Sequence, residues 1–102
     1  MRERTLELKL VKETRKRGGV ALKFVSPGYA GMPDRLVLLP HRVMGFVEVK
    51  APGQKPRPLQ VSRHALLRGM GFPVFVLDDP EEIPIILGEM PRAWDGEGGD
   101  AQ

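Results

Sequence analysis

A chain of 102 residues without cysteine can bury one modest core and can form neither disulfides nor thiolate metal sites. No apolar run approaches the ~20 residues of a membrane span. Arg2, Glu3, Arg4 and Glu7 leave no signal-peptide apolar segment at the start, so a cytoplasmic protein is expected. Net charge is +3, and residues 1–90 alone carry 15 basic against 10 acidic residues. That excess suits a polyanionic partner and is also an ordinary solubility charge.

The predicted elements follow in chain order. Residues 3–17 read as a helix, with Leu6, Leu10, Val11 and Thr14 on one stripe and most of the lysines elsewhere. Gly18-Gly19 ends it in the manner of a left-handed cap. Residues 20–25 form a first strand, and 26–33 a turn-rich loop. Residues 34–39 and 43–50 are apolar and β-branched, two strands joined near Pro40-His41-Arg42. The stretch 51–58 holds three prolines and a glycine and is irregular. Residues 59–70 form a second helix ended by Gly71, and 73–77 a fourth strand. Asp79-Pro80-Glu81-Glu82 has the pattern of an N-cap with Pro at N1 and Glu at N3. Pro84 argues for a short or kinked final helix. From Pro91 the chain turns Gly- and Asp-rich, which predicts a disordered tail over 91–102 behind a single domain over 1–90. The order αβββαβα gives an α/β fold with a mixed four-stranded sheet flanked by helices: an antiparallel meander, then a right-handed crossover.

Two short motifs carry the chemistry. Pro33-Asp34 opens the second strand, and Glu48-Val49-Lys50 closes the third, 14 positions from Asp34 to Glu48. Residues i and i+2 of a strand share a face, so Glu48 and Lys50 point together and Val49 points to the opposite side. If the two strands pair as a hairpin, Asp34 comes near Glu48 and Lys50. Two carboxylates so placed repel unless a cation neutralises them. Hard oxygen donors with room for water and phosphate suit Mg²⁺ or Mn²⁺, and a metal-activated water beside a lysine is an arrangement for phosphodiester cleavage. A bare Asp…Glu-x-Lys pattern also arises by chance at strand ends.

The wider context is more specific. The segments Ser26-Pro27-Gly28-Tyr29-Ala30-Gly31-Met32-Pro33-Asp34 and Phe46-Val47-Glu48-Val49-Lys50-Ala51-Pro52-Gly53, with Gln60 following, resemble the VRR-NUC (virus-type replication-repair nuclease) family of the PD-(D/E)xK superfamily. The resemblance runs from about Glu3 to Leu77. It departs at the hairpin tip, where His41-Arg42 replaces an expected Gly-containing turn. It implies a restriction-endonuclease-like core and a metal-dependent DNA endonuclease of phage or prophage type, active in the bacterial cytoplasm. By the same resemblance Asp34 and Glu48 are metal ligands, the Val49 carbonyl is a further donor, and Gln60 faces the site. Lys50 either orients or deprotonates the attacking water or neutralises the phosphorus centre. Glu7 is the favoured N-terminal site carboxylate and a less certain ligand, with Glu3 as the alternative. Glu7 shares a helical face with Leu10, Val11 and Thr14, and a solvated helix-start Glu explains it as well.

Backbone amides of Ser26, Gly28, Tyr29 and Gly31 lie beside Asp34 and suit phosphate contact. Lys23, Lys55, Arg57, Arg63 and Arg68 supply phosphate-neutralising charge, and a solubilising basic face explains Arg63 and Arg68 equally well. His41 and His64 lack partners at metal-ligand spacing and receive no role, nor does Trp94. Two functions remain. One is an endonuclease acting on branched DNA, with a four-way-junction resolvase working as a homodimer as its specific form. The other is a non-catalytic DNA-binding module on the same fold.

Overall fold

In a computed structural model, described over residues 1–94, the chain forms the expected sequence of elements. These are α1 (Glu3–Lys16), β1 (Val20–Lys23), β2 (Arg35–Leu39), β3 (Val43–Val49), α2 (Pro58–Gly69), β4 (Val74–Leu77), a 3-10 turn (Pro80–Glu82) and α3 (Ile83–Glu89). The sheet order is β1-β2-β3-β4. The first three strands are antiparallel, and β4 joins β3 in parallel after the α2 crossover. The registers Arg35↔Val47 and Val49↔Leu77 bring the start of β2 and the ends of β3 and β4 to one end of the sheet.

Strand alternation divides the sheet into two faces. One carries Ala21, Val37, Val47, Val49 and Leu77, which pack with Leu6 and Leu10 of α1 and with Ile83, Ile86 and Leu87 of α3. This is the hydrophobic core, and it is apolar throughout. The other face carries Glu48 and Val74 and meets the buried residues of α2, Gln60, His64 and Leu67. Thr14, the polar member of the α1 stripe, is satisfied inside its own helix by donating its hydroxyl to the Leu10 carbonyl at 2.7 Å.

The final helix is short, as Pro84 suggests: α3 has seven residues and follows a separate 3-10 turn, and Pro84 falls in its first turn, where its missing N–H would have had no helical acceptor. Two boundaries differ from expectation. β1 stops at Lys23 rather than 25, because its last hydrogen bond, Phe24 N–H to the Asp34 carbonyl at 2.8 Å, precedes the loop that leaves the sheet. The chain after Met90 was expected to be disordered, yet Met44 donates to the Pro91 carbonyl at 3.2 Å and Ala93 donates to the Arg42 carbonyl at 2.6 Å. The reason is a vacancy on β3: β4 pairs only from Phe46 onward, so the first residues of β3 have a free side that Arg92 fills by a bridge to Val43. The Arg42 guanidinium also lies 5.1 Å from the Trp94 ring. This anchors a hairpin tip in which His41 and Arg42 hold φ values of 69° and 67° without glycine. The rest of the expected tail, 95–102, lies outside the described residues.

α1 ends as the glycine pair dictates. Gly18 takes φ 85°, and Gly19 donates back to the Thr14 carbonyl at 3.0 Å. The chain then passes against β2 so closely that a Cβ on Gly19 would overlap the Leu38 carbonyl oxygen. That neighbour is backbone and cannot swing aside. Gly19→Ala is therefore expected to cost about 2 kcal/mol and lower the Tm by roughly 10 °C, measured by thermal denaturation.

Candidate active site

Asp34, Glu48, Lys50 and Gln60 converge at the end of the sheet where β2 begins and β3 ends. Asp34 Oδ2 accepts the Val49 N–H at 3.0 Å, a bond that fixes the aspartate across the hairpin. Val49 sends its side chain into the core and its amide to Asp34. The Glu48 side chain is only 1% exposed. Its Oε2 accepts a hydrogen bond from Gln60 Nε2 at 3.0 Å and lies 3.3 Å from Lys50 Nζ. The Gln60 amide is oriented from behind, since its Oε1 accepts the Arg57 N–H at 2.8 Å at the start of α2. The proline-containing loop thus ends by pinning the residue that grips the carboxylate.

The other carboxylate oxygen, Glu48 Oε1, faces His64 Nε2 at 3.7 Å. Both atoms are buried, and neither has a hydrogen-bond partner among the described residues. Sequence reasoning passed His64 over. A signal was present: Gln60, His64 and Leu67 fall on one stripe of α2, which places the imidazole against the sheet. What periodicity does not give is the acidic partner across the interface.

The electrostatics follow from this burial. Loss of water, then the charge of Asp34, pushes the Glu48 carboxyl up from 4.5 to about 7, against the opposing charge and hydrogen bond of Lys50. Burial, then the charge of Arg68, holds the His64 imidazole below its ordinary 6.5, so it is neutral at pH 7.

Glu7 is not brought into this cluster. Its carboxylate takes the Arg35 Nε–H at 2.8 Å, and Arg35 Nη1 donates to the Ala21 carbonyl at 3.0 Å. Arg35 is one residue from Asp34 and so points to the opposite face, the face on which α1 packs. Glu3 is exposed in the first turn of α1. A cleft of about 350 Å³ lined by Lys9, Lys12, Lys16 and Ile83 lies between α1 and α3, on that same far face.

Two loops border the cluster. In the first, a turn closed by Tyr29 N–H to the Ser26 carbonyl at 3.2 Å leads through Gly28 (φ 78°) to Gly31. Gly31 combines a φ of 90° with a close approach to Leu59 and Arg63, which a Cβ would obstruct. Arg63 is committed to holding this loop: its Nε donates to the Ala30 carbonyl at 2.9 Å and its guanidinium lies 3.9 Å from the Tyr29 ring. The second loop follows Lys50 directly and turns by Gln54 N–H to the Ala51 carbonyl at 2.9 Å. It exposes Lys55 and Arg57, while Lys23 is exposed at the end of β1. Arg68 is occupied by the Val74 carbonyl, at 2.7 Å from Nη2.

A carboxyl whose pKa is higher folded than unfolded holds its proton more tightly in the fold. The stabilisation this gives is complete below about 4.5 and is lost as the pH rises through about 7. In metal-free buffer, Glu48→Gln should therefore raise the Tm at pH 8 by roughly 4 °C or more and change it little at pH 5. Paired melts at the two pH values test this; an unchanged Tm at pH 8 would mean that Lys50 fully offsets the burial.

No family model matches the sequence. The chain is 54% identical over 81 residues to "Putative nuclease p44" of Acyrthosiphon pisum secondary endosymbiont phage 1, covering 79% of this chain and 87% of that protein. It also matches a solved structure of a VRR_NUC domain with a TM-score of 0.79 and 32% identity, over 85% of this chain and 95% of that one. The fold is therefore that of a VRR_NUC domain, and the chain belongs to the VRR-NUC family.

Proposed function

We propose that this nuclease domain is a divalent-metal-dependent DNA endonuclease acting on branched DNA, in phage or prophage replication or repair within the host cytoplasm. The observation that carries the reading is the Glu48 carboxylate. It is buried, raised toward neutrality beside Asp34, and has one oxygen without a partner among the described residues. A bound cation would relieve the repulsion and use the spare oxygen.

The donor chemistry fits Mg²⁺ or Mn²⁺. Asp34 and Glu48 are hard oxygen donors, with the Val49 carbonyl as a third in this proposal. No three His, Asp or Glu side chains form a ready cage among the described residues. Mg²⁺ does not require one, since it keeps several waters and binds through one or two carboxylates plus substrate phosphate. Bound there, the cation would supply Lewis acidity toward the phosphate and a more acidic water. The chain's own residues do the rest. Gln60 holds the Glu48 carboxylate in place. Lys50, within 3.3 Å of Glu48, orients the attacking water or offsets charge gathering on the phosphate oxygens. The amide of Gly28, with Lys23, Lys55 and Arg57, borders the cluster and would track the backbone phosphates, whereas the Tyr29 N–H is spent on the Ser26 carbonyl. Arg63 would act on DNA through the Tyr29 loop that it secures.

One site cuts one strand, so resolution of a four-way junction calls for two copies, and a C₂ homodimer matches that geometry. Of the apolar residues of α2 and α3, Leu67, Ile83 and Ile86 are buried, whereas Leu66, Met70 and Ile85 are exposed. Val20, Leu22 and Leu38 form a further exposed apolar surface on the β1–β2 half of the α2 face. The dimer is proposed to use this surface.

The test is a cleavage panel of duplex, flap, splayed and four-way-junction DNA with Mg²⁺, Mn²⁺ or EDTA. Cutting of branched forms only with metal, and its loss in Asp34→Asn with DNA binding retained, is the expected result. Cleavage by Asp34→Asn at the wild-type rate would remove the ligand assignment. DNA binding without cleavage under any condition would favour a non-catalytic module. Light scattering gives the mass, and a monomer that nicks flaps but spares junctions would refute junction resolution alone.

Lys50 is separable from the ligands. Lys50→Ala is expected to bind Mn²⁺ in calorimetry yet lose about 10²–10⁴-fold in turnover. Loss of metal binding together with turnover would instead make Lys50 a structural support of the site.

A further inference from the structure

We propose that His64 is a positioning residue of the nuclease site: its Nε2–H donates to Glu48 Oε1 and sets the orientation in which that carboxylate meets a cation. This rests on the metal reading above and goes beyond it.

Two independent observations point here. His64 is 2% exposed, and its Nε2 has no partner; Glu48 Oε1 is equally buried and also has none. Buried polar atoms are nearly always paired, because one left alone loses its water without compensation. These two face one another at 3.7 Å across the α2–sheet interface. A histidine serving only as core filler would be expected to direct its buried nitrogen to a backbone carbonyl, and this one is directed at the site carboxylate.

The gap is somewhat longer than the ~2.9 Å of a good N–H···O bond. The terminal torsion of a Glu side chain is broad, so a modest rotation about it closes the distance. A bridging water is a poorer solution, because two ~2.8 Å bonds spanning that separation would meet at only about 80°. Gln60 and Lys50 already engage Oε2. His64 on Oε1 completes a grip on both oxygens and leaves the second lone pair of Oε1 for a metal. A proton on Nε2 is the tautomer this requires. Groups of this kind behind a metal-binding side chain commonly govern affinity by 10–100-fold, by fixing the ligand before the ion arrives.

The test is Mn²⁺ calorimetry on the full chain, with a thermal melt for every variant. The wild type should bind. His64→Leu, which offers no donor, and His64→Asn, whose amide is too short to reach Oε1, should each lose at least about tenfold in affinity. His64→Gln, which carries an N–H donor near the position of Nε2, should recover to within about threefold of wild type. Should His64→Leu fail to fold, the comparison of the two amides decides. Wild-type affinity in His64→Asn overturns the proposal. So does a His64→Gln variant that melts like wild type but binds as weakly as His64→Asn. In both cases a wild type that binds leaves the metal reading standing, whereas a wild type that binds no Mn²⁺ overturns that reading and this one with it.

Discussion

The Glu48 carboxylate sits on β3 with Gln60 and Lys50 on one oxygen and the buried His64 facing the other. Water is excluded from it, so the fold must supply by design what solvent would have supplied freely. That requirement explains the local architecture. β3 needs a neighbour on its far side, and a parallel neighbour needs a crossover. The crossover helix is where Gln60 and His64 reside, four residues apart on its inward stripe. The loop before it ends by giving the Arg57 N–H to Gln60, so the helix start is locked to the residue that locks the carboxylate. Sheet order, crossover and site chemistry thus have a common origin.

The two faces of the sheet divide the work. The α1–α3 face is apolar and carries the core. The α2 face carries the ionisable groups and is only partly covered, which leaves Val20, Leu22 and Leu38 in solvent. Arg35 marks the border: one residue from Asp34, it turns to the core side and takes Glu7 with it.

Much of this is readable in the sequence because the decisive spacings are short. Glu48 and Lys50 share a face by strand period, Asp34 reaches them through a tight hairpin, and Gln60 lies one loop away. Glu7 was harder. Its helical stripe shows which side of α1 meets the sheet, but not which face of the sheet receives it, and the two faces differ by one residue of register between Asp34 and Arg35. His64 was legible as buried and not as engaged, because its partner lies across an interface that periodicity does not describe. Residues 91–94 look featureless in the sequence because their order comes from an unfilled position on β3, at Val43, 49 residues before Arg92, and not from their own composition.

That last contact bears on the edges of the sheet. An uncovered stretch of strand presents unpaired amides and carbonyls to any neighbouring chain, a template for intermolecular sheet growth. By lying along Val43 and Met44, the backbone of Pro91, Arg92 and Ala93 covers the part of β3 that β4 leaves unpaired. The sheet then ends in two short strands of four residues each, β1, which finishes at Lys23, and β4. Trimming the protein to the boundary suggested by its motifs would reopen that stretch of β3 to a neighbouring chain, through the loss of residues that take no part in the chemistry.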